Sequence, residues 1–228
     1  MNDLMVAAVF FVGTHLGIAG TQVRGQLIDR IGVRMYRLLY SLLGIIALIW
    51  LVAAFRDAPY RPFWHGGEAA RHLPLLIMPI ALLLLVSGVT APNPTSVGQA
   101  PDPDAAEPAR GILRVTRHPV MWGVGLWAIA HVLANPDLAS LIFFGSLGLL
   151  AFAGCHSLDS RLGRNPPPGW GVFVQRTSFV PFAAIVDGRQ KFVGSEIGWW
   201  RVALALALYV LLLVLHPYLF GVPVIPGT

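Results

Sequence analysis

The sequence predicts an all-α membrane protein, a polytopic bundle of about six transmembrane helices with an interfacial segment on the cytoplasmic side. Composition is the first reason. Of the 228 residues, 56% are hydrophobic and only 12% are charged, whereas about a quarter of the residues in a soluble domain are charged. The second reason is that the apolar residues gather into stretches long enough to cross a bilayer, with arginines on their flanks.

We treat residues 1–228 as one transmembrane domain. The net charge of +5 does not indicate nucleic acid as a partner, because the arginines stand where membrane topology places them. The single cysteine, Cys155, excludes an intramolecular disulfide. The first residues lack a basic region and a small-residue cleavage motif, so residues 4–22 are expected to remain as the first span.

Six spans are predicted along the chain, at about 4–22, 38–55, 72–90, 117–137, 138–156 and 199–219. The fourth begins a helix at Pro119, since proline is tolerated in a first turn, and ends at a short turn over 135–137. Residues 91–110 hold five prolines and three acids, which indicates a flexible loop. Residues 157–198 connect the last two spans. Their apolar run 169–186 is predicted to lie along the cytoplasmic surface.

Arginine positions predict the orientation. Loops rich in arginine usually face the cytoplasm, and here they follow span one, precede span four and follow span five. This places the 135–137 turn and both termini outside. The prediction is therefore an integral membrane protein with both termini external and membrane lipid as the surrounding partner.

Two histidines, His15 and His131, lie inside predicted spans. An ionisable group there is costly unless it is paired or bound. The simpler interpretation is a hydrogen bond to a neighbouring helix. Two imidazoles facing one another from separate spans would instead suit axial ligation of haem iron. The span boundaries put the two histidines about 8 Å apart in depth.

Arg117 and His118 lie at the predicted cytoplasmic end of span four. Arg117 is interpreted either as an interfacial anchor or as a partner for an anionic headgroup or a propionate. His118 lies on a different side of the predicted helix from His131, so the two are not expected to bind one metal ion unless the helix is broken. Asp159, next to His156 and Arg161, is interpreted as part of a solvated helix end or of a site.

Several motifs, in order, together resemble the NnrU family. They are His15, Arg24, Gly32-x-Arg34-x-Tyr36-Arg37-x-x-Tyr40-Ser41, Arg117-His118-Pro119-x-Met121-Trp122-Gly123, Ala130-His131-x-Leu133-Ala134-Asn135-x-Asp137, His156-x-x-Asp159-x-Arg161 and Thr177-Ser178-x-x-Pro181-Phe182. The family includes bacterial proteins linked to denitrification and nitric oxide metabolism, and a plant carotene isomerase that contains haem b.

The resemblance implies a haem b protein with His15 and His131 as the iron ligands and with Arg117 and His118 near the cofactor. It implies either redox or nitrogen-oxide physiology, with a small gas as substrate, or cis–trans isomerisation of an apolar polyene. The protein partners and the residues of any catalytic step are not indicated.

Two other functions stay open. The Arg117-His118-Pro119 motif, followed by an aromatic segment ending in proline, is similar to membrane methyltransferases of the isoprenylcysteine type. It would place Arg117, His118 and residues 170–182 at S-adenosylmethionine. Alternatively, the chain is a non-catalytic assembly factor whose histidines only form structural hydrogen bonds.

Overall fold

The computed structural model describes residues 1–96, 99, 101–102, 104–105 and 107–224. Its helices, in chain order, are α1 (Asn2–Thr14), a π-helix (His15–Ala19), α2 (Gln22–Ile31), α3 (Val33–Arg56), α4 (Glu68–Thr90), a 3₁₀ turn (Gly111–Arg114), α5 (Pro119–Ala134), α6 (Leu138–Arg164), α7 (Trp170–Arg176), α8 (Ala183–Val186), a second 3₁₀ turn (Gly194–Ile197) and α9 (Trp199–Phe220).

Five helical stretches of the described chain are long and apolar enough to cross a membrane. They are α1 with the π-helix, α3, α4, α6 and α9. The sixth predicted span is α5, which is apolar but has only 16 residues. It is therefore about 24 Å long, somewhat shorter than the roughly 30 Å hydrocarbon layer. The predicted all-α membrane fold is confirmed.

Several helix ends differ from the predicted spans. Helix α3 begins at Val33, five residues before the predicted span, and α6 continues to Arg164, well past 156. The added turns carry arginines, whose long side chains reach polar surroundings while their stems stay near apolar groups. Hydropathy ends a span at the first charge, whereas the helix continues through it. Helix α5 is shorter than the predicted 117–137 because His118 and Asn135 are not helical.

Helices α4, α5 and α6 pack side by side, α1 packs on α3 and α6, and α9 packs on α4. Glycines permit the closest approaches. A Cβ atom on Gly123 would lie 2.8 Å from the Ala81 carbonyl oxygen of α4, and one on Gly125 would lie 2.4 Å from the Phe152 ring of α6. Helix α5 is therefore held between α4 and α6 without room for larger side chains at these positions.

The bundle has two distinct ends. At one end, which we call the turn end, the connection after α3 meets the α5–α6 turn, with Phe63 N–H donating to Pro136 O (3.0 Å) and Leu138 N–H to Arg61 O (2.9 Å). The opposite end, the arginine end, contains α2, the start of α5, the last turns of α6, and α7. The prediction that the arginine end faces the cytoplasm follows from charge alone.

Residues 177–182 dock on the start of α5. The Arg117 N–H donates to Ser178 O (3.0 Å), and the Phe182 N–H donates to Val115 O (2.8 Å). Trp122 Nε1 donates to Phe179 O (2.8 Å). The predicted interfacial run thus forms α7, a connection bonded to α5, and α8.

The predicted flexible loop over 91–110 falls partly outside the described residues, at 97, 98, 100, 103 and 106. Described residues of this segment contact the bundle. Thr95 Oγ1 donates to Arg117 O (2.8 Å), and Ala109 is buried against Leu113, Trp170 and Phe173. This packing joins the segment to α7 at the arginine end.

Candidate functional site

His131 lies in an aromatic cluster near the turn end. Its ring stacks on Phe144 with centroids 4.9 Å apart and lies 5.1 Å from the Trp127 ring. Phe144 also contacts Phe143 (5.0 Å) and Phe55 (5.8 Å). These five side chains, which we call the aromatic cluster, come from α3, α5 and α6. The imidazole is therefore a basic group in mainly apolar surroundings.

His15 begins the π-helix, a distortion found frequently at functional sites. Its ring lies 4.5 Å from the Phe11 ring and 5.7 Å from the Tyr40 ring of α3. A Cβ atom built on Gly44 would lie 3.6 Å from His15 Nε2. The Nε2 edge of His15 therefore faces the glycine of α3.

Both histidines are held in the same tautomer. Nδ1 of His15 lies 2.7 Å from Phe11 O, and Nδ1 of His131 lies 2.8 Å from Trp127 O. Because a carbonyl oxygen only accepts, Nδ1 carries the hydrogen in each ring and Nε2 carries the lone pair. Metal-ligating histidines are commonly oriented by such a bond. Each ring alone thus has the chemistry of an axial ligand.

The structure does not bring the two rings together. Gly44, beside His15, and Phe55, which contacts the Phe144 partner of His131, lie on the same helix. They are eleven residues apart, which is about 16 Å along α3. The neighbours of the two rings therefore lie at different levels of α3, with His15 just past the end of α1 and His131 near the end of α5.

Binding of haem b by both histidines sets a geometric requirement. Two imidazoles on one iron need Nε2 atoms about 4 Å apart, from metal–nitrogen bonds of about 2.0 Å each. The neighbours of His15 and of the His131 partner lie about 16 Å apart along α3, which does not favour one iron between the two rings. Among the described residues, Nε2 of each ring has no hydrogen-bond partner. Ligation of haem by both histidines stays a prediction from family resemblance.

Arg117 and His118 converge on one carboxylate instead. Arg117 donates to Asp159 Oδ2 from Nε (2.8 Å) and Nη2 (2.7 Å), and His118 Nε2 lies 2.8 Å from Asp159 Oδ1. The side chains are 14%, 0% and 20% exposed for Arg117, His118 and Asp159. We call these three residues the Asp159 triad. The triad joins the N-terminal end of α5 to α6.

The backbone before Pro119 explains how adjacent residues reach one acid. A residue that precedes proline is disfavoured in the helical conformation, and His118 has φ −120° and ψ 54°. Helix α5 thus begins after His118, and Arg117 is bonded through its own N–H to Ser178. Both side chains are then directed to α6 rather than to opposite helix faces.

The triad leaves one buried atom without a partner. Asp159 accepts the Nε2 hydrogen of His118, so Nδ1 carries the lone pair when the ring is neutral. That Nδ1 is buried and has no hydrogen-bond partner among the described residues. A carboxylate-oriented imidazole of this kind can accept a proton or a hydrogen bond from a group that enters the site.

A second polar cluster lies at the arginine end. Arg114 donates to Glu196 Oε2 from Nε (2.7 Å) and to Oε1 from Nη2 (2.9 Å), and its Nη1 also bonds Gln190. The hydrogen bond from Arg114 is the main cause that lowers the pKa of Glu196 to about 2. This cluster connects the turn before α5 to the turn before α9.

Sequence reasoning missed both ion pairs. It grouped Asp159 with its neighbours His156 and Arg161, yet His156 is exposed and Asp159 binds Arg117 and His118. A usable signal existed, since Asp159 is the one acid in the 27 residues of α6, and a buried carboxylate needs a cation. No local pattern indicated Arg114 with Glu196.

Comparison with known proteins gives the family. The sequence model described as NnrU protein matches residues 3–224. The chain belongs to the NnrU family. Two curated relatives, the chloroplastic 15-cis-zeta-carotene isomerases of Zea mays and Arabidopsis thaliana, are each 29% identical to the chain over 193 and 194 residues.

Each match covers 82% of this chain and 51% of the relative. The chain therefore spans about half the length of the curated relatives it matches. No solved structure matches the chain significantly. Family membership predicted from the ordered motifs is thus confirmed, and so is the relation to zeta-carotene isomerase.

Proposed function

We propose that this NnrU-family protein isomerises a cis double bond of an apolar polyene, of the carotene class, inside the membrane. The observation that carries the proposal is its 29% identity, over 82% of the chain, to two proteins named 15-cis-zeta-carotene isomerase. A carotene is insoluble in water and is found in the bilayer, so an enzyme for it needs an apolar site open to lipid.

The aromatic cluster supports this substrate class. Its rings come from three helices and provide flat apolar faces on which a conjugated chain can pack. Ile129 and Leu133 share the opposite face of α5 and are 40% and 39% exposed, so that face of α5 borders the lipid. His131 itself is only partly buried, so a flat apolar molecule can approach the cluster from outside the bundle. His131 Nε2 would be the basic atom nearest to it.

The chemical step needs a way to weaken a double bond, and haem b, predicted by the resemblance, is one source. Haem would supply one-electron chemistry. His131 is the ligand we favour, since it belongs to the aromatic cluster, and the roughly 16 Å along α3 between the neighbours of the two rings argues against His15 on the same iron. Arg117 and His118, predicted near the cofactor, are engaged with Asp159 in the described structure.

The predicted bacterial inner-membrane location, with both termini periplasmic, rests on the resemblance to bacterial members of the family, and the external termini rest on arginine positions. The two curated relatives are chloroplastic. Three other functions would remain if the carotene assay described below were negative. They are nitrogen-oxide physiology, S-adenosylmethionine-dependent methyl transfer and a non-catalytic assembly role. No specific contact among the described residues favours these three functions. Residues 170–182 fill the region beside Arg117 and His118 with protein contacts.

A bacterial host that accumulates 15-cis-zeta-carotene and has no isomerase tests the proposal. The chain is expressed in the dark, to prevent photoisomerisation, and carotenes are separated by chromatography. We expect the 15-cis isomer to disappear with the wild-type protein and to persist with His131→Ala. The matched control, His156→Ala, changes an exposed histidine and should act like wild type. An unchanged 15-cis peak in all strains would contradict the proposal.

A further inference from the structure

A polar cluster at the arginine end joins four elements of the fold. Tyr36 and Tyr40 of α3 stack with ring centroids 5.6 Å apart, and Tyr40 contacts the His15 ring. The guanidinium carbon of Arg24, from α2, lies 5.7 Å from the centre of the Tyr36 ring. These contacts place Arg24 and the two phenols beside the π-helix.

Arg161 reaches the same place from α6. A Cβ atom on Gly20 would lie 2.5 Å from Ser157 Oγ, so the end of the π-helix touches α6 at Ser157. Arg161 is four residues further on and lies on the same helix face. Consistent with this, Arg161 is in electrostatic range of Arg24 and of Tyr36.

The positive charges in this cluster are not paired with an acid of the described chain. Within the described part of the chain, neither Arg24 nor Arg161 forms an ion pair within 4.0 Å. Asp159, two residues before Arg161, has its two oxygens bonded to Arg117 and His118. Two half-buried guanidiniums that repel each other are costly unless an anion lies between them.

The Tyr36 hydroxyl adds a hydrogen-bond donor without an acceptor among the described residues. Tyr36 is 5% exposed, and its hydroxyl oxygen is buried without a hydrogen-bond partner among the described residues. Leaving such a group unsatisfied is unfavourable. A ligand oxygen next to the ring would satisfy the hydroxyl and the arginine that stacks on it.

We propose that Arg24, Arg161 and the Tyr36 hydroxyl bind a phosphate group. Guanidiniums bind phosphate oxygens through paired, charge-assisted hydrogen bonds, and a phenol donates a further one. The site lies where α1 and α6 reach the arginine end, which is the level of phospholipid headgroups. Its ligand is the phosphate of an anionic phospholipid or free phosphate, and the site is independent of the proposed isomerisation.

Binding to the purified full-length chain in a neutral maltoside detergent tests the proposal. The protein is delipidated, and native mass spectrometry then measures the affinity for added dioleoyl phosphatidylglycerol, dioleoylglycerol and, separately, inorganic phosphate. The variants are Arg24→Gln, Arg161→Gln and Tyr36→Phe. The control is Arg37→Gln, which removes an exposed arginine from the same end of α3. Circular dichroism and gel filtration establish that each variant is folded.

We expect Arg24→Gln and Arg161→Gln to weaken phosphatidylglycerol binding by about tenfold or more, and Arg37→Gln to leave it unchanged. Tyr36→Phe keeps the ring under Arg24 and should weaken phosphatidylglycerol binding about threefold. If an arginine variant does not fold, the Tyr36→Phe result tests the site by itself. Inorganic phosphate that binds with the same variant losses identifies free phosphate as the ligand, and binding of the lipid alone identifies a headgroup. Equal binding of dioleoylglycerol, or equal affinity in all variants, would overturn the proposal.

Discussion

His118 and Asp159, 41 positions apart in the chain, lie 2.8 Å apart between Nε2 and Oδ1. This contact, with the two hydrogen bonds from Arg117 to the other carboxylate oxygen, joins α5 to α6 at the arginine end. The aromatic cluster lies at the opposite end of the same two helices. The triad therefore sets the relative position of helices that carry the candidate site.

Removing the carboxylate charge of the triad is expected to be strongly destabilising. In Asp159→Asn, Arg117 loses its counter-ion and His118 its acceptor, so the free energy of unfolding should fall by about 3 kcal/mol. The thermal unfolding midpoint in detergent measures this. The matched control is Asp187→Asn, which breaks the ion pair between Asp187 and Arg189. Their side chains are 55% and 39% exposed, respectively. It should cost less than about 1 kcal/mol. Equal losses in both variants would show that the triad carries no special stability.

Close packing of α4 on α5 gives a second prediction. A Cβ atom in Gly123→Ala would meet the Ala81 carbonyl oxygen at 2.8 Å and Leu85 Cγ at 2.6 Å. Because backbone cannot move aside as a side-chain end can, we expect a loss of about 1–3 kcal/mol. In the control, Gly145→Ala, the new Cβ would lie 3.9 Å from a Leu141 methyl. If both variants unfold at the wild-type midpoint, α4 and α5 are further apart than described.

The Glu196–Arg114 pair predicts a pH dependence. The folded pKa of Glu196, about 2, is below the ordinary 4.5 because of the Arg114 hydrogen bond. A depressed carboxyl pKa adds stability above the unfolded pKa, and this stability is lost as the pH falls through the folded pKa. Between pH 4.5 and 2, the wild-type midpoint should therefore fall more than that of Glu196→Gln.

The comparison at neutral pH checks the sign of this effect. At pH 7 the Glu196→Gln protein should be the less stable of the two, and the difference should shrink as the solution is acidified. The control is Asp187→Asn, whose pair is exposed at the surface. Parallel curves for wild type and Glu196→Gln over this range would contradict the assignment.

The two intramembrane histidines predict separable effects on absorbance if haem b binds. Because only His131 lies in the aromatic cluster, we expect His131→Ala to abolish the Soret band of purified protein, and His15→Ala to retain it. His156→Ala serves as the control. Equal loss of the band in His15→Ala and His131→Ala would indicate that both ligate one iron, which requires a different arrangement of α1 and α5. The absence of a Soret band in the wild-type protein would contradict haem b binding.

The span pattern was predictable because hydropathy and arginine positions are local properties of the sequence. His15 and His131 were also identified from the sequence, since an ionisable residue inside an apolar stretch needs no structure to be noticed. Their relative depth could only be approximated, because it depends on how far α1 and α5 extend beside α6. Small errors in span boundaries along antiparallel helices add in such an estimate.

The contacts of Arg114, Arg117 and Asp159 could not be predicted in the same way. Arg114 and Glu196 are 82 positions apart, and their pairing depends on how the residues between α6 and α9 fold back on α5. The sequence placed cations at the right end of the bundle, but it contained no periodic signal for their partners. Likewise, the arginines beside Tyr36 come from two other elements, α2 and α6.

Conversion of the substrate by purified protein measures the proposed isomerisation itself. Wild-type protein and His131→Ala, in detergent and in the dark, are incubated with 15-cis-zeta-carotene, and the isomers are quantified by chromatography. We expect the 15-cis isomer to decrease with time in proportion to wild-type protein, and to remain with His131→Ala. A 15-cis fraction that stays constant with folded, haem-replete wild-type protein would contradict the proposed isomerisation.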